Sequence, residues 1–195
     1  MNKLAVSIPT YNNPDILKET LDREAYMLKE NNVLIYIFDS STNDFTQNLV
    51  MSYINDKNLK NIFYNRSDSL NLDHKTYHAV ILSNVEYVWL CGDSIIINQK
   101  SLEMVLNLLD KNFDIIVLND RDREKIGLKE YNNSLEFFKE CCWCCTFYGS
   151  TIHRASIFID LDKDYLFNKY QGSFFLYVCG LFEGIAEKAT LIFVK

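Results

Sequence analysis

The chain is 195 residues long, and several things are scarce in it. No apolar run approaches the ~20 residues of a membrane-spanning helix, so no transmembrane segment is expected. The opening Met1–Ala5 carries one lysine and leads straight into a strand-like run, which is unlike a leader peptide. Basic residues are outnumbered, 20 against 26 acidic, for a net charge of −6. That argues against nucleic acid as a partner and leaves only a local positive pocket suited to phosphate. The expected location is the cytoplasm, where thiols stay reduced. Glycine is limited to six residues. No G-x-G-x-x-G follows the first strand-like run, and no G-x-x-x-x-G-K-[ST] exists, which excludes the dinucleotide fingerprint and the P-loop. The G-x-S-x-G of α/β-hydrolases is missing as well. A nucleotide bound here has to be held by side chains and a metal. Repeats, low-complexity tracts and Gly/Ser/Pro-rich linkers are absent.

What is present is an ordinary globular balance, 48% hydrophobic and 24% charged. Such a chain buries roughly 70% of its unfolded surface without disulfide or metal staples. A single domain over residues 1–195 is expected. Cys91 and Cys179 sit in apolar runs and read as small core residues. The run Cys141-Cys142-Trp143-Cys144-Cys145 holds two overlapping C-x-x-C spacings. Zinc sites pair such a motif with a distant second one or with spaced histidines, and His74, His78 and His153 do not supply that. The four read as buried or partly buried thiols, and Trp89 and Trp143 as core anchors.

Short apolar runs alternate with helical patterns. The runs are Leu4–Pro9, Val33–Phe38, Asn61–Tyr64, Val85–Cys91 and Asp114–Leu118. Their starts are 24 to 29 residues apart, the spacing of β-α units. Val33–Phe38 is apolar on both faces, as a parallel strand covered on each side is. Asn13 can cap the first helix with Pro14 at its first position. Leu17, Leu21, Ala25 and Leu28 continue it as one stripe. Phe45–Ile54, Asp73–Ser83 and Leu102–Leu109 read as three more helices. Asp120–Glu130 reads as a charged surface loop, Leu135–Phe138 as the start of a short helix, Gly172–Lys188 as a helix and Thr190–Val194 as a strand. The fold class is α/β, three layers, α/β/α, with a mostly parallel sheet.

Ligands of such sheets bind at the carboxyl ends of the strands. Those ends read Pro9-Thr10-Tyr11-Asn12, Asp39-Ser40-Ser41-Thr42-Asn43-Asp44, Asn65-Arg66-Ser67-Asp68 and Gly92-Asp93-Ser94. Two of the four place a carboxylate at the exit. Taken alone, Asp39 and Asp93 suit turns or helix caps equally well.

Val6-Ser7-Ile8-Pro9-Thr10-Tyr11-Asn12 resembles the opening strand and loop of family 2 glycosyltransferases of the GT-A fold. Phe38–Asp44 resembles their second strand exit, and Tyr87-Val88-Trp89-Leu90-Cys91-Gly92-Asp93 the strand leading to their DxD motif. Tyr148–Arg154 and Lys169–Phe174 are similar to later segments of bacterial polysaccharide members, the second on the acceptor side. The resemblance implies transfer of a sugar, with inversion, from a nucleotide-diphosphate donor to a hydroxyl acceptor, most simply a UDP-sugar and a glycan or lipid-linked acceptor. It implies that residues 1–118 bind the nucleotide-sugar and residues 119–195 form the acceptor side. Pro9, Thr10, Tyr11 and Asn12 would line the nucleoside pocket, Asp39 and Ser41 would serve the base, and Asp73 lies where members touch the base. Asp93 would hold a divalent cation, Mn²⁺ or Mg²⁺, which stabilises the leaving diphosphate.

The departures are specific. The run Asp93-Ser94-Ile95 lacks the second acid of the motif, so a weakly bound metal is expected, or a cation supplied by Arg66 or Lys75 facing the diphosphate. Asp160, Asp162, Asp164 and His153 are open choices for the base that takes the acceptor proton, and none is assigned. The alternative is a GT-A-like module that binds a nucleotide or a partner without turnover. Thr190–Val194 reads as an interior element that Lys195 cuts off, so the acceptor side is expected to be truncated. Residues beyond it would carry acceptor or membrane contacts, the latter at the inner face of the membrane.

Overall fold

Leu4, Val6 and Ile8 alternate along the first strand with Ala5 and Ser7, and all five are buried. Leu4, Val6 and Ile8 join one core cluster and Ala5 another, so this strand has apolar packing on both faces. The computed structural model describes residues 2–67, 71–82, 84–118, 129–186 and 192–194. Four β-α units come first: β1 (Asn2–Thr10), α1 (Pro14–Glu30), β2 (Leu34–Asp39), α2 (Phe45–Asn55), β3 (Ile62–Arg66), α3 (Leu72–Val80), β4 (Val85–Leu90) and α4 (Gln99–Leu109). Then follow β5 (Ile115–Val117), β6 (Lys129–Tyr131), α5 (Ser134–Cys141), β7 (Thr151–Arg154), α6 (Ser156–Ile159), α7 (Lys163–Tyr170), α8 (Leu176–Ile185) and β8 (Ile192–Val194).

The eight strands among the described residues form one sheet in the order β3-β2-β1-β4-β7-β5-β8-β6. β1, β2, β3 and β4 are parallel to one another, and β5 is parallel to β8. β7 runs antiparallel between β4 and β5, and β6 closes the edge antiparallel to β8. Six strands therefore share one direction. The stripes of α1, α2 and α4 cover one face through Leu17, Leu21, Val50, Tyr53, Leu102 and Val105. Residues of α3, α5, α6 and α8 cover the other. This is the expected three-layer arrangement.

The second half differs in detail from the sequence reading. Thr151–Arg154, read only as a family-like segment, is a strand inserted between β4 and β5. Lys129 and Glu130, expected in a loop, begin β6, and residues 119–128 lie outside the described residues. The helix expected from Gly172 starts at Leu176, because Gly172 has φ +89° and Phe174 φ +63°, which no helix accepts. The third helix ends at Val80, and the last strand is described only over Ile192–Val194. Among the described residues no helix is long and apolar enough to cross a membrane.

Candidate functional site

The strand order reverses its winding between β1 and β4, and loops leaving such a switch point open a crevice at the carboxyl ends. The local cause is Pro9. Cys91 N donates to Ser7 O at 2.9 Å, and the next residue on that edge of β1 is Pro9, which has no N–H to continue the ladder.

Asp93, on the loop after β4, reaches into this crevice. Its Oδ2 accepts from Thr10 Oγ1 at 2.8 Å and from Asn13 Nδ2 at 3.2 Å. Asn13 thus turns to Asp93 and makes no side-chain cap on α1, contrary to the reading from sequence. The backbone oxygen of Asp93 accepts from Thr20 Oγ1 at 2.7 Å. One turn further along α1, Glu24 Oε2 accepts from Ile97 N at 2.8 Å. Thr20 and Glu24, an i, i+4 pair, therefore hold both ends of the Asp93–Ile97 loop. Glu24 is fully buried, and desolvation pushes its carboxyl up to about 7 against the opposing pull of the Ile97 N–H.

Asp39, at the exit of β2, is buried within a dense set of donors. Ser41 gives it both backbone N–H, at 2.8 Å, and hydroxyl, and Tyr64 donates its hydroxyl at 2.7 Å. The Arg66 guanidinium stands 3.6 Å away. Asn12 sits in the left-handed region at φ +50°, which asparagine tolerates, and donates its N–H to Ser41 Oγ at 2.8 Å. Its side-chain oxygen accepts from Thr42 N at 3.0 Å, which staples the first two loops together. Burial pushes the Tyr64 hydroxyl up to about 12.

The remaining sequence candidates separate. Tyr11 is half exposed, and the Lys75 ammonium stands 5.7 Å from its ring centroid. Lys75 and Arg66 line a cleft of about 260 Å³ with Phe38, Asn65, Ser67 and His78. Asp73 points elsewhere: it is buried, its Oδ2 accepts from Gly172 N at 2.7 Å and its Oδ1 from Leu176 N at 3.3 Å. It braces α3 against the turn that opens α8.

Tyr148, quoted above only as part of a segment, is the residue the sequence reading missed. Its ring lies where a Cβ at Gly92 would come within 3.3 Å of Cδ2. Burial, with Asp73 and Asp93 adding, pushes its hydroxyl up to about 12. The four choices for a base lie outside the Thr10–Asp93 network. Asp162 caps α7 at Tyr165 N, and Asp160 and Asp164 are exposed. His153 is buried on β7 in a small apolar cavity with Nε2 unpartnered, and burial pushes it down to about 4. A mostly apolar cavity of about 640 Å³ lies between α5 and α8. Cys142 and the half-buried Cys179 line it, which corrects the reading of Cys179 as core.

Comparison with known proteins decides the family. The model of glycosyl transferase family 2 matches residues 5–181. The chain belongs to this family. The abequosyltransferase RfbV of Salmonella typhimurium is 30% identical over 131 residues, which are 67% of this chain and 39% of RfbV. The chain thus spans about two fifths of that relative's length. The structure of Staphylococcus aureus TarS matches 97% of this chain and 60% of its own at TM-score 0.67 and 16% identity. The mannosyltransferase PcManGT of Pyrobaculum calidifontis, in complex with GDP-Man and Mn²⁺, matches 99% and 56% at TM-score 0.60 and 13% identity. At these identities the structural likeness shows the fold, which is that of the GT-A glycosyltransferases.

Proposed function

We propose that this family 2 chain moves a glycosyl unit from a nucleotide-diphosphate donor, a UDP-sugar, to a hydroxyl of a glycan or lipid-linked acceptor, with inversion, in bacterial surface polysaccharide synthesis. The observation that carries the reading is the placing of Asp39 and Asp93 after β2 and β4, the two strands that flank β1 at the switch point, with Tyr11 on the loop after β1. In transfer, the bond from the anomeric carbon to the diphosphate oxygen breaks as the acceptor oxygen bonds from the opposite face, the acceptor's proton passes to a general base and the nucleoside diphosphate leaves. Tyr11 offers a ring face to base or ribose. Asp39, fixed by Ser41 and Tyr64, is an acceptor for base N–H groups. Thr10 and Asn13 fix Oδ2 of Asp93 and so hold its carboxylate in place for the donor.

The donor set fits a divalent cation in a minimal way. Among the described residues no three His, Cys, Asp or Glu side chains come together. Mg²⁺ sites commonly use one or two carboxylates and take the remaining ligands from phosphates and water. Asp93 is the residue that would hold such an ion, which when bound supplies positive charge to the leaving diphosphate.

The test is thermal unfolding against UDP, CDP, GDP and dTDP, each with Mn²⁺. A ligand at about 100 times its Kd adds roughly 2.7 kcal/mol, a shift of roughly 5 to 10 °C for a domain of this size. The expected result is a shift with one of the four that shrinks in Asp93→Ala. No shift with any of them overturns the donor site and leaves the GT-A-like binding module as the reading.

A further inference from the structure

Two cations line the cleft beside the crevice, and their surroundings differ. Arg66 is already engaged: one nitrogen donates to Ser41 O at 2.7 Å, and the other lies 3.4 Å from Asp44 Oδ1 and 3.6 Å from Asp39 Oδ2. Its charge closes the β2 exit and is not free to turn outward. Lys75 is the opposite. Among the described residues its ammonium has neither a hydrogen-bond nor an ion-pair partner. Its neighbour is the exposed face of Tyr11 at 5.7 Å. Burial draws its pKa down, while both Asp93 and Asp39 act on its charge and draw it up. A partly buried ammonium without a partner is costly, and the cost is offset when an anion arrives.

The placing of Lys75 is also fixed. It sits in the first turn of α3, whose N-cap Asn71 accepts from Asp73 N and His74 N. Asp73, two residues away, is tied to Gly172 and Leu176 of the other half of the chain. The helix carrying Lys75 is therefore braced from behind. Lys75 lies within electrostatic reach of both Asp39, at the nucleoside end of the crevice, and Asp93 after β4. In a nucleotide-sugar the diphosphate lies between nucleoside and sugar. The metal end offers a single carboxylate, the lower limit of what Mg²⁺ sites use, so most of an ion's ligands would have to come from phosphate and water.

We propose that Lys75 is the diphosphate-binding cation of this site, so that the chain holds a nucleoside diphosphate without any divalent ion. The inference rests on the donor-site reading above. A lysine donates to phosphate as a compact point charge from a flexible stem, and desolvation at the cleft strengthens the contact. Contacts of this charge-assisted kind amount to about a tenfold to hundredfold change in affinity.

The experiment is isothermal titration of UDP, GDP, CDP, dTDP and inorganic pyrophosphate into the protein, once in EDTA and once in Mn²⁺. Wild type, Lys75→Met and Lys75→Arg are compared, with unliganded melting temperatures confirming that all three fold. The expected result is binding of one nucleoside diphosphate by wild type in EDTA. In Lys75→Met that affinity falls by about tenfold to hundredfold, with part of it regained in Mn²⁺. Lys75→Arg restores most of the binding in EDTA. Binding by wild type only in Mn²⁺, or unchanged affinity in Lys75→Met, overturns the role of Lys75 while the donor site stands. No binding in either condition overturns the donor site itself.

Discussion

Two carboxylates are withdrawn from solvent to the same degree in this molecule, Asp39 at the exit of β2 and Glu24 on α1, both at 0% exposure. Asp39 receives a backbone N–H and two hydroxyls and faces a guanidinium. Glu24 receives one backbone N–H, and its Oε1 has no partner. The first environment is built for a charge and the second for a neutral acid, which is why burial drives Glu24 up to about 7. The two residues teach where the fold tolerates charge. At the strand exits, loops supply donors. Beneath them, the helix contributes a carboxyl as a neutral brace for the Asp93–Ile97 loop.

The contrast is most directly broken at Asp39. Asp39→Ala removes the acceptor of three donors, each costing about 1 to 3 kcal/mol when left buried and unpaired, so a loss of about 3 to 5 kcal/mol is expected in urea unfolding. A loss under 1 kcal/mol would show that the donors relax to water and that the site is not built around the charge.

Glu24 comes next, through pH. Its folded value lies above that of the unfolded chain, 4.5. Its contribution is therefore fully present below pH 4.5, is lost as pH rises towards 7, and stays lost above that. The total is about 3 kcal/mol. His153 works in the opposite sense, since burial lowers it from 6.5 to about 4. Its contribution is present above pH 6.5 and is lost on acidification towards 4. The two nearly cancel in wild type. Glu24→Gln should therefore reveal a stability that climbs from pH 4 to 6.5, measured as urea midpoints across that range. A Glu24→Gln profile parallel to wild type would refute the neutral-brace reading.

The smallest effect is expected at Asp22. It too has three donors, Lys18, Tyr53 and Lys57, which hold its carboxyl well below the usual range. It is nevertheless solvent-exposed, with side-chain exposure of 38%. Partners without burial count for little, and Asp22→Asn is expected to cost about 0 to 1 kcal/mol by thermal unfolding. A larger loss would mean that donors stabilise a carboxylate even without the burial that Asp39 has.

Much of the first half was legible in sequence because its elements repeat one simple rule. Each apolar run is long enough to show itself, and each is followed by a polar exit and an amphipathic stripe. Asp39, Asp93, Thr10 and Tyr11 fall at those exits, and the fold brings them to one crevice. The second half broke the rule. Thr151–Arg154 is four residues long and holds a buried histidine, so nothing in its pattern announces a central strand. Asp73 and Lys75 are two residues apart with opposite destinations, one braced at a turn 99 residues away and one at the cleft. Local pattern carries no information on such distant partners. The choice between Arg66 and Lys75 was likewise invisible, because it depends on Ser41 O and Asp44 meeting Arg66 in space. One signal was available and missed: Thr20 and Glu24 are polar residues flanking the apolar stripe of α1, and polar groups there need something to hold.

The position of β7 bears on how the chain is made. β4 gains its neighbour on one side only when Thr151–Arg154 exists, about 60 residues after β4 has left the ribosome. β5 cannot join in the meantime, because it pairs with β7 and β8 and not with β4. During synthesis the strand Val85–Leu90, almost wholly apolar, waits as an unpaired edge, the kind of surface that recruits other chains. A chain stalled before residue 151 would leave that edge of β4 open, and the four residues of β7 are what covers it.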